Sequence, residues 1–211
     1  MSDTLPAFSG VVLAGGRSRR MGTDKALLPV GGRAMAAVAR DALLGAGASE
    51  VLAVGGDAAA LTSLGFRVVA DRWPGDGPLG GVVTALAEAT CDVVVVLACD
   101  LPLIEAAAVT TLLRHLGDAD AVVPFVAGQP QVLVAAYRRA CANELENARA
   151  AGQWRLRDAV GRLRLADAPL EPRWVHNVNQ AADLEGLTEL EGDGEGIGAP
   201  EGEPDDGARH H

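Results

Sequence analysis

Short, continuously apolar runs alternate with longer amphipathic ones along most of the chain. The clearest is Val93–Ala98, VVVVLA, with no polar position in it. Such a run has no face to offer water, which predicts a strand buried on both sides, central in a parallel sheet. Val11–Leu13 and Val51–Val54 are of the same kind, and Phe66–Ala70, interrupted only by Arg67, predicts a third such strand. They stop at Ala14-Gly15-Gly16, Gly55-Gly56 and Asp71. Between the runs, Ala34–Leu44, Ala58–Leu64, Leu79–Ala89 and Glu105–Leu116 predict helices, the first two closed by Gly45 and Gly65. Further on, Ala121–Pro124 and Val132–Tyr137 predict strands, with Gln129-Pro130 as loop between them. Arg138–Ala151 and Leu156–Gly161 predict helices and Arg162–Leu165 a short strand. Trp174–Val178 predicts a last strand and Gln180–Leu187 a closing helix.

A β-α-β-α order of this kind predicts an α/β fold, a mostly parallel central sheet with helices on both faces. Ligands of such sheets bind outside the carboxyl ends of the strands. Gly15, Asp71, Asp100 and the pair Asn177/Asn179 all follow predicted strands and so converge on that edge.

Composition refines this picture in three places. Hydrophobic residues make up 49% of the 211 but aromatics only 3%, so the core is built from Ala, Val and Leu, as suits helices on a sheet. Of the net charge of -10, the segment Thr188–His211 carries -7 (eight acids, one arginine), leaving -3 on the rest. That segment is Gly/Pro-rich as well as acidic and reads as a disordered tail, 188–211, behind one domain, 1–187. A nearly neutral body excludes a broad nucleic-acid surface. Cys91, Cys99 and Cys141 form no C-x-x-C, which speaks against disulfide scaffolding and structural zinc and for a reducing, cytoplasmic setting. No apolar run is long enough to span a membrane.

The candidate chemistry concentrates in Gly10–Val30, GVVLAGGRSRRMGTDKALLPV. A strand opens into two glycines followed by Arg17, Arg19, Arg20 and Lys25, with Asp24 the only acid. Glycines let backbone N–H groups approach an anion, and Arg and Lys add charge-assisted bonds to phosphate oxygens. The loop is neither a Walker A nor a G-x-G-x-x-G motif. Lys25 is the leading phosphate ligand and Arg20 the second, with Arg17 facing solvent. Asp100 ends the most apolar run and is either an N-cap or a metal ligand. Leu101-Pro102 delays the next helix, which favours the metal. Asp71 either caps a turn or accepts hydrogen bonds from a ligand. His115 reads as an ordinary helix residue, and no Ser-His-Asp set or His/Cys cluster is present.

The pattern LAGG-R-S-R-RMG-x-DK resembles the N-terminal signature of the MobA-like small nucleotidyltransferases, most closely the molybdenum cofactor guanylyltransferases. Cys99-Asp100-Leu101-Pro102 is similar to that family's C-D-x-P, GDGPLGG to its G-P-L-x-G, and Asn177-Val178-Asn179 to its N-V-N. Gln180-Ala181-Ala182 departs from the Thr-Pro-Glu common there. The resemblance implies a three-layer, Rossmann-like nucleotidyltransferase fold that transfers GMP from GTP to the molybdopterin cofactor with Mg²⁺. It implies Lys25, Arg20 and Asp100 as catalytic residues, with Asp100 holding the metal. It implies Leu13, Ala14, Gly15, Gly16, Lys25, Asp71, Gly80 and Asp100 around the nucleotide, and Asn177, Asn179 and Arg155 around the pterin. It leaves room for other cofactor-biosynthesis or molybdoenzyme-maturation proteins as partners. The open alternatives are a relative using another base or acceptor, such as a molybdopterin cytidylyltransferase or a sugar- or lactyl-phosphate nucleotidyltransferase, and a non-catalytic nucleotide-binding protein. An ionised acceptor phosphate needs no strong general base, so the absence of a catalytic His or Cys agrees with nucleotidyl transfer.

Overall fold

The apolar runs become the strands of one sheet. In the computed structural model, which describes residues 5–15 and 24–178, β1 is Phe8–Leu13, β4 Glu50–Val54, β5 Arg67–Val69 and β6 Val93–Ala98. These four lie in the order β6-β1-β4-β5 and are mutually parallel. Beyond β6 stand β10 (Val134–Arg138), β7 (Ala121–Val122) and β11 (Leu165–Ala166). Only β10 is reversed, antiparallel to both β6 and β7. The seven-stranded sheet is therefore mostly parallel, as the alternation of elements predicts.

Successive residues of a strand face opposite sides of the sheet, and here each side has its own helices. Val93, Val95 and Leu97 of β6 and Val12 of β1 pack with α1 (Met35–Gly45), α2 (Ala58–Ser63) and α4 (Ala106–His115). Val94, Val96, Val11 and Leu13 pack with α3 (Gly77–Glu88), α5 (Ala142–Ala150) and α6 (Leu156–Val160). The result is three layers. Among the described residues no helix is long and apolar enough to cross a membrane.

Several boundaries differ from the sequence expectation, each for a local reason. α3 starts at Gly77 rather than Leu79, because Pro78 suits the first helical turn. The helix expected over Arg138–Ala151 starts only at Ala142. β10 runs to Arg138, whose N–H donates to the Asp120 carbonyl, and a 3-10 turn covers Arg139–Cys141. The strand expected over Ala121–Pro124 is short, and the chain folds into a hairpin of β8 (Phe125–Val126) and β9 (Gln129–Pro130). Gln129-Pro130 is thus a small strand, reached through left-handed Ala127 and Gly128 (φ 50° and 73°) in a two-residue turn. A second hairpin, β2 (Pro29–Val30) with β3 (Arg33–Ala34), turns at Gly31-Gly32.

The last expected strand is absent. Pro172–Val175 forms a 3-10 turn, and 176–178 runs on without pairing as a strand. Trp174 and Val178 are buried while His176 and Asn177 are exposed, a spacing that no strand alternation produces. The closing helix expected at Gln180–Leu187 and the tail at 188–211 lie outside the described residues.

Candidate active site

The carboxyl ends of β6, β1, β4 and β5 release the chain at Asp100, Gly15, Gly55 and Asp71 in turn along one edge. At about 4.8 Å between neighbours, the four exits span about 15 Å. At the first exit, Ala14 and Gly15 N–H groups both donate to the Val54 carbonyl, at 3.0 and 3.1 Å. This binds the end of β1 to the end of β4. Leu13 and Ala14 are buried, and Gly15 is exposed at the rim. Gly55 completes the close approach. It adopts φ 74°, and a Cβ there would lie 2.9 Å from the Gly15 Cα. A side chain at Gly55 would therefore be strained in conformation and would push the two loops apart.

Gly16 and Arg20 lie outside the described residues. The chain re-enters at Asp24, which sets Lys25 in place. One carboxylate oxygen of Asp24 accepts from the Ala26 N–H at 3.0 Å, capping the 3-10 turn Lys25–Leu27. The other accepts from the Asp57 N–H, also at 3.0 Å. Asp57 in turn caps α2 through Ala59 and Ala60. The Lys25 turn is thus anchored to the β4–α2 loop. The role of Asp24 escapes a reading of single residues, although an Asp just before a short helical turn is a capping signal.

Lys25 Nζ lies 2.6 Å from Asp100 Oδ2, with side-chain exposures of 15% and 20%. The pair joins residues 75 apart in sequence at the ends of the two adjacent central strands' exits. The second oxygen, Asp100 Oδ1, is buried and has no hydrogen-bond partner among the described residues. Asp100 does not cap α4, whose N-cap is Glu105, so the capping alternative falls away. A buried carboxylate oxygen without a donor suits a hard divalent cation. No group of three or more metal-ligating side chains exists among the described residues. A cation here would complete its shell with phosphate oxygens and water.

The neighbouring Cys99 thiol is pushed up to about 12, first by burial and then by the Asp100 charge, with Lys25 pulling the other way. It stays protonated at neutral pH and supplies no nucleophile.

At the far exit, Asp71 Oδ1 accepts from the Trp73 N–H at 3.0 Å and from the Thr84 hydroxyl at 3.4 Å. Asp71 therefore caps the turn leading into α3. Gly80, buried, lets that turn close on the helix: a Cβ there would meet the Trp73 carbonyl oxygen at 3.1 Å. Its visible role is close packing, which a motif match does not reveal. Arg149, from the end of α5, stacks 4.1 Å from the Trp73 ring centroid and pairs with Asp76 Oδ2 at 3.0 Å. Nothing in the sequence around Arg149 marks it out.

The residues expected around a second substrate are partly gathered. Val178 donates its N–H to the Asp100 carbonyl at 3.0 Å and packs with Met35. Exposed Asn177 thus stands beside the Lys25–Asp100 pair even without a strand to carry it. Asn179 lies outside the described residues. Arg155 is exposed at the N-cap of α6, and its side chain makes no hydrogen bond or ion pair among the described residues. Its neighbour Arg157 reaches Gln129 Oε1 of the β8–β9 hairpin at 3.4 Å.

Comparison with known proteins agrees with this geometry. The MobA-like NTP transferase domain matches residues 10–181. A probable molybdenum cofactor guanylyltransferase of Chloroflexus aggregans is 40% identical over 165 residues, covering 76% of this chain and 79% of that protein. The crystal structure of molybdopterin-guanine dinucleotide biosynthesis protein A from Archaeoglobus fulgidus superposes with a TM-score of 0.68 at 24% identity, over 88% of this chain and 99% of that one. 2-C-methyl-D-erythritol 4-phosphate cytidylyltransferase from Thermus thermophilus does so with a TM-score of 0.62 at 21% identity, over 86% and 97%. The two structural likenesses speak for the fold. With the edge geometry and the family match over most of its length, this chain belongs to the MobA-like NTP transferase family.

Proposed function

We propose that this protein is a molybdenum cofactor guanylyltransferase, transferring GMP from GTP to the molybdopterin cofactor with release of pyrophosphate. The observation that carries the reading is the Lys25–Asp100 pair at the edge where the two central strands end, its buried Asp100 Oδ1 without a hydrogen-bond partner among the described residues. The chain around it is 40% identical to a relative of that name.

In this reading the triphosphate lies along the exits of β6, β1 and β4. A phosphate oxygen of the acceptor attacks the α-phosphorus of GTP, forming a new P–O bond. The bond from the α-phosphorus to the α,β-bridging oxygen breaks, and pyrophosphate leaves with that electron pair. Lys25 gives up its contact with Asp100 for a phosphate oxygen and offsets the charge gathering on the leaving group. Asp100 would hold Mg²⁺, its buried Oδ1 having no hydrogen-bond partner among the described residues. Mg²⁺, when bound, neutralises phosphate charge and orients the phosphates for in-line displacement. Exposed Gly15, its own N–H given to the Val54 carbonyl, leaves room for the phosphates to approach the edge, and Arg20 adds a second cation. Asp71, Leu13, Ala14, Gly16 and Gly80 shape the nucleotide side. Asn177, Asn179 and Arg155 face the pterin. The acceptor phosphate is already ionised, so no residue need remove a proton, and the protonated Cys99 is consistent with that.

The test is incubation with each of the four nucleoside triphosphates, Mg²⁺ and molybdopterin cofactor, following pyrophosphate release and product mass. Turnover with GTP, yielding a mass gain of one GMP on the cofactor, is expected. Turnover with CTP instead, or with GTP only when a sugar phosphate replaces the cofactor, would overturn the assignment.

A further inference from the structure

Trp73 is the keystone of the loop between β5 and α3. Its N–H is held by Asp71, and its carbonyl accepts from the Asp76 N–H at 3.1 Å and abuts Gly80. All of those polar contacts come from the loop itself or from α3, and although Trp73 also packs against the core layer of α3 and α5, none of them ties the loop by a polar bond to the rest of the molecule. Arg149 does. Because β10 is reversed, its end at Arg138 lies at the amino edge of the parallel strands. α5 follows and returns to the carboxyl edge, delivering Arg149 in its last turn beside the loop. There the guanidinium covers one face of the Trp73 ring at 4.1 Å and bonds Asp76 Oδ2 at 3.0 Å along its rim, with Glu146 at 3.9 Å.

Only a planar, delocalised cation can stack and pair at once. A lysine ammonium can do the second but not the first. At 16% side-chain exposure, between an indole and two acids, Arg149 is placed to hold protein rather than to bind substrate. Its Nε–H is buried and has no hydrogen-bond partner among the described residues, a cost that a purely ornamental surface arginine would not bear.

We propose that Arg149 is a positioning residue for the nucleotide: by clamping Trp73 and Asp76 it holds the turn that presents Asp71 and the first turn of α3 to GTP. This rests on the reading that the loop lines the nucleotide site. It ties the last third of the chain, after β10, to GTP affinity, although nothing in that third need touch GTP.

The test uses the full chain with Arg149→Met, Arg149→Lys and Asp76→Asn, and Asp71→Asn in parallel. Arg149→Met is expected to raise KM for GTP about tenfold with kcat within about twofold, and to speed amide hydrogen exchange across residues 72–79. Arg149→Lys, which keeps the ion pair, should recover part of the loss. Asp76→Asn should raise KM as well, and less than additively with Arg149→Met. A KM for Arg149→Met within twofold of the unmodified chain, while Asp71→Asn raises it, would overturn the role of Arg149 and leave the loop's role standing. An unchanged KM in both would overturn the loop reading and the proposal with it. Should Arg149→Met fail to fold, Asp76→Asn decides: a KM within twofold of the unmodified chain overturns the proposal.

Discussion

A lysine and an aspartate 2.6 Å apart, each less than a quarter exposed, hold each other at the carboxyl edge of the sheet. Neither side chain belongs to the sheet's backbone ladder, so their removal should affect chemistry before stability. Lys25→Ala is expected to lower GTP turnover about a hundredfold or more while thermal unfolding shifts by only a few degrees. Turnover near that of the unmodified chain would remove Lys25 from the phosphate site. Asp100→Asn keeps the volume and one oxygen but loses the charge. It is expected to abolish Mg²⁺-dependent turnover and to weaken Mn²⁺ binding measured by electron paramagnetic resonance in the presence of GTP; retention of both would sink the metal assignment. The thiols offer a further check. Cys99 and Cys141 are buried and burial raises both, whereas Cys91 is partly exposed. Alkylation at pH 8 followed by peptide mass mapping should label Cys91 first and leave Cys99 intact in the folded chain.

At the level of elements, the loops matter more than the strands they follow. The ends of β1 and β4 can share the Val54 carbonyl only because Gly55 takes φ 74° and carries no Cβ within 2.9 Å of Gly15. Gly55→Ala is expected to cost about 1–3 kcal/mol in urea unfolding, from backbone strain and from separation of the loops. It should also weaken GTP, since the Gly15 rim moves with it. An unchanged midpoint would mean the two loops rearrange freely. Most elements were legible from pattern alone, because a strand buried on both faces leaves a short unbroken apolar run and a helix buried on one face leaves a helical period. The two failures at β10's end and at the last expected strand share one cause. At 121–138 and 174–178 the backbone's partners are distant residues: Arg138 bonds Asp120, and Val178 bonds Asp100. A local pattern contains no trace of such a partner.

Across the whole molecule, the edge opposite the site is tied by one carboxylate. Glu50 Oε1 accepts from the Ser9 hydroxyl on β1 at 2.7 Å and from the N–H and hydroxyl of Thr90 at 2.7 and 2.6 Å, while Oε2 faces Arg67 of β5 at 3.2 Å. Burial alone would raise its pKa. The bonds from Thr90 and Ser9 and the Arg67 charge outweigh burial, and the net shift is below the ordinary 4.5. A carboxyl lowered on folding stabilises fully above its unfolded pKa, and that contribution fades as pH falls through the lower folded value. Stability should therefore drop below about pH 4.5, and Glu50→Gln should flatten this acid limb in urea midpoints taken from pH 6 to 3. An acid limb of unchanged slope would show that other carboxylates carry it.

Periodicity and motif, both local properties, were enough to establish a mostly parallel α/β fold with helices on both faces and to name Lys25, Asp71 and Asp100 as candidates along its carboxyl edge. They could do so because burial on a sheet dictates which positions are apolar, and because the carboxyl edge collects whatever follows each strand. What depended on folding in three dimensions is the pairing. Lys25 meets Asp100 across 75 residues, Asp24 meets Asp57 across 33, and Arg149 reaches back 73 residues to Asp76. Each of these polar contacts is made by a side chain of common type, whose partner is chosen by sheet order and helix direction rather than by its neighbours in the chain.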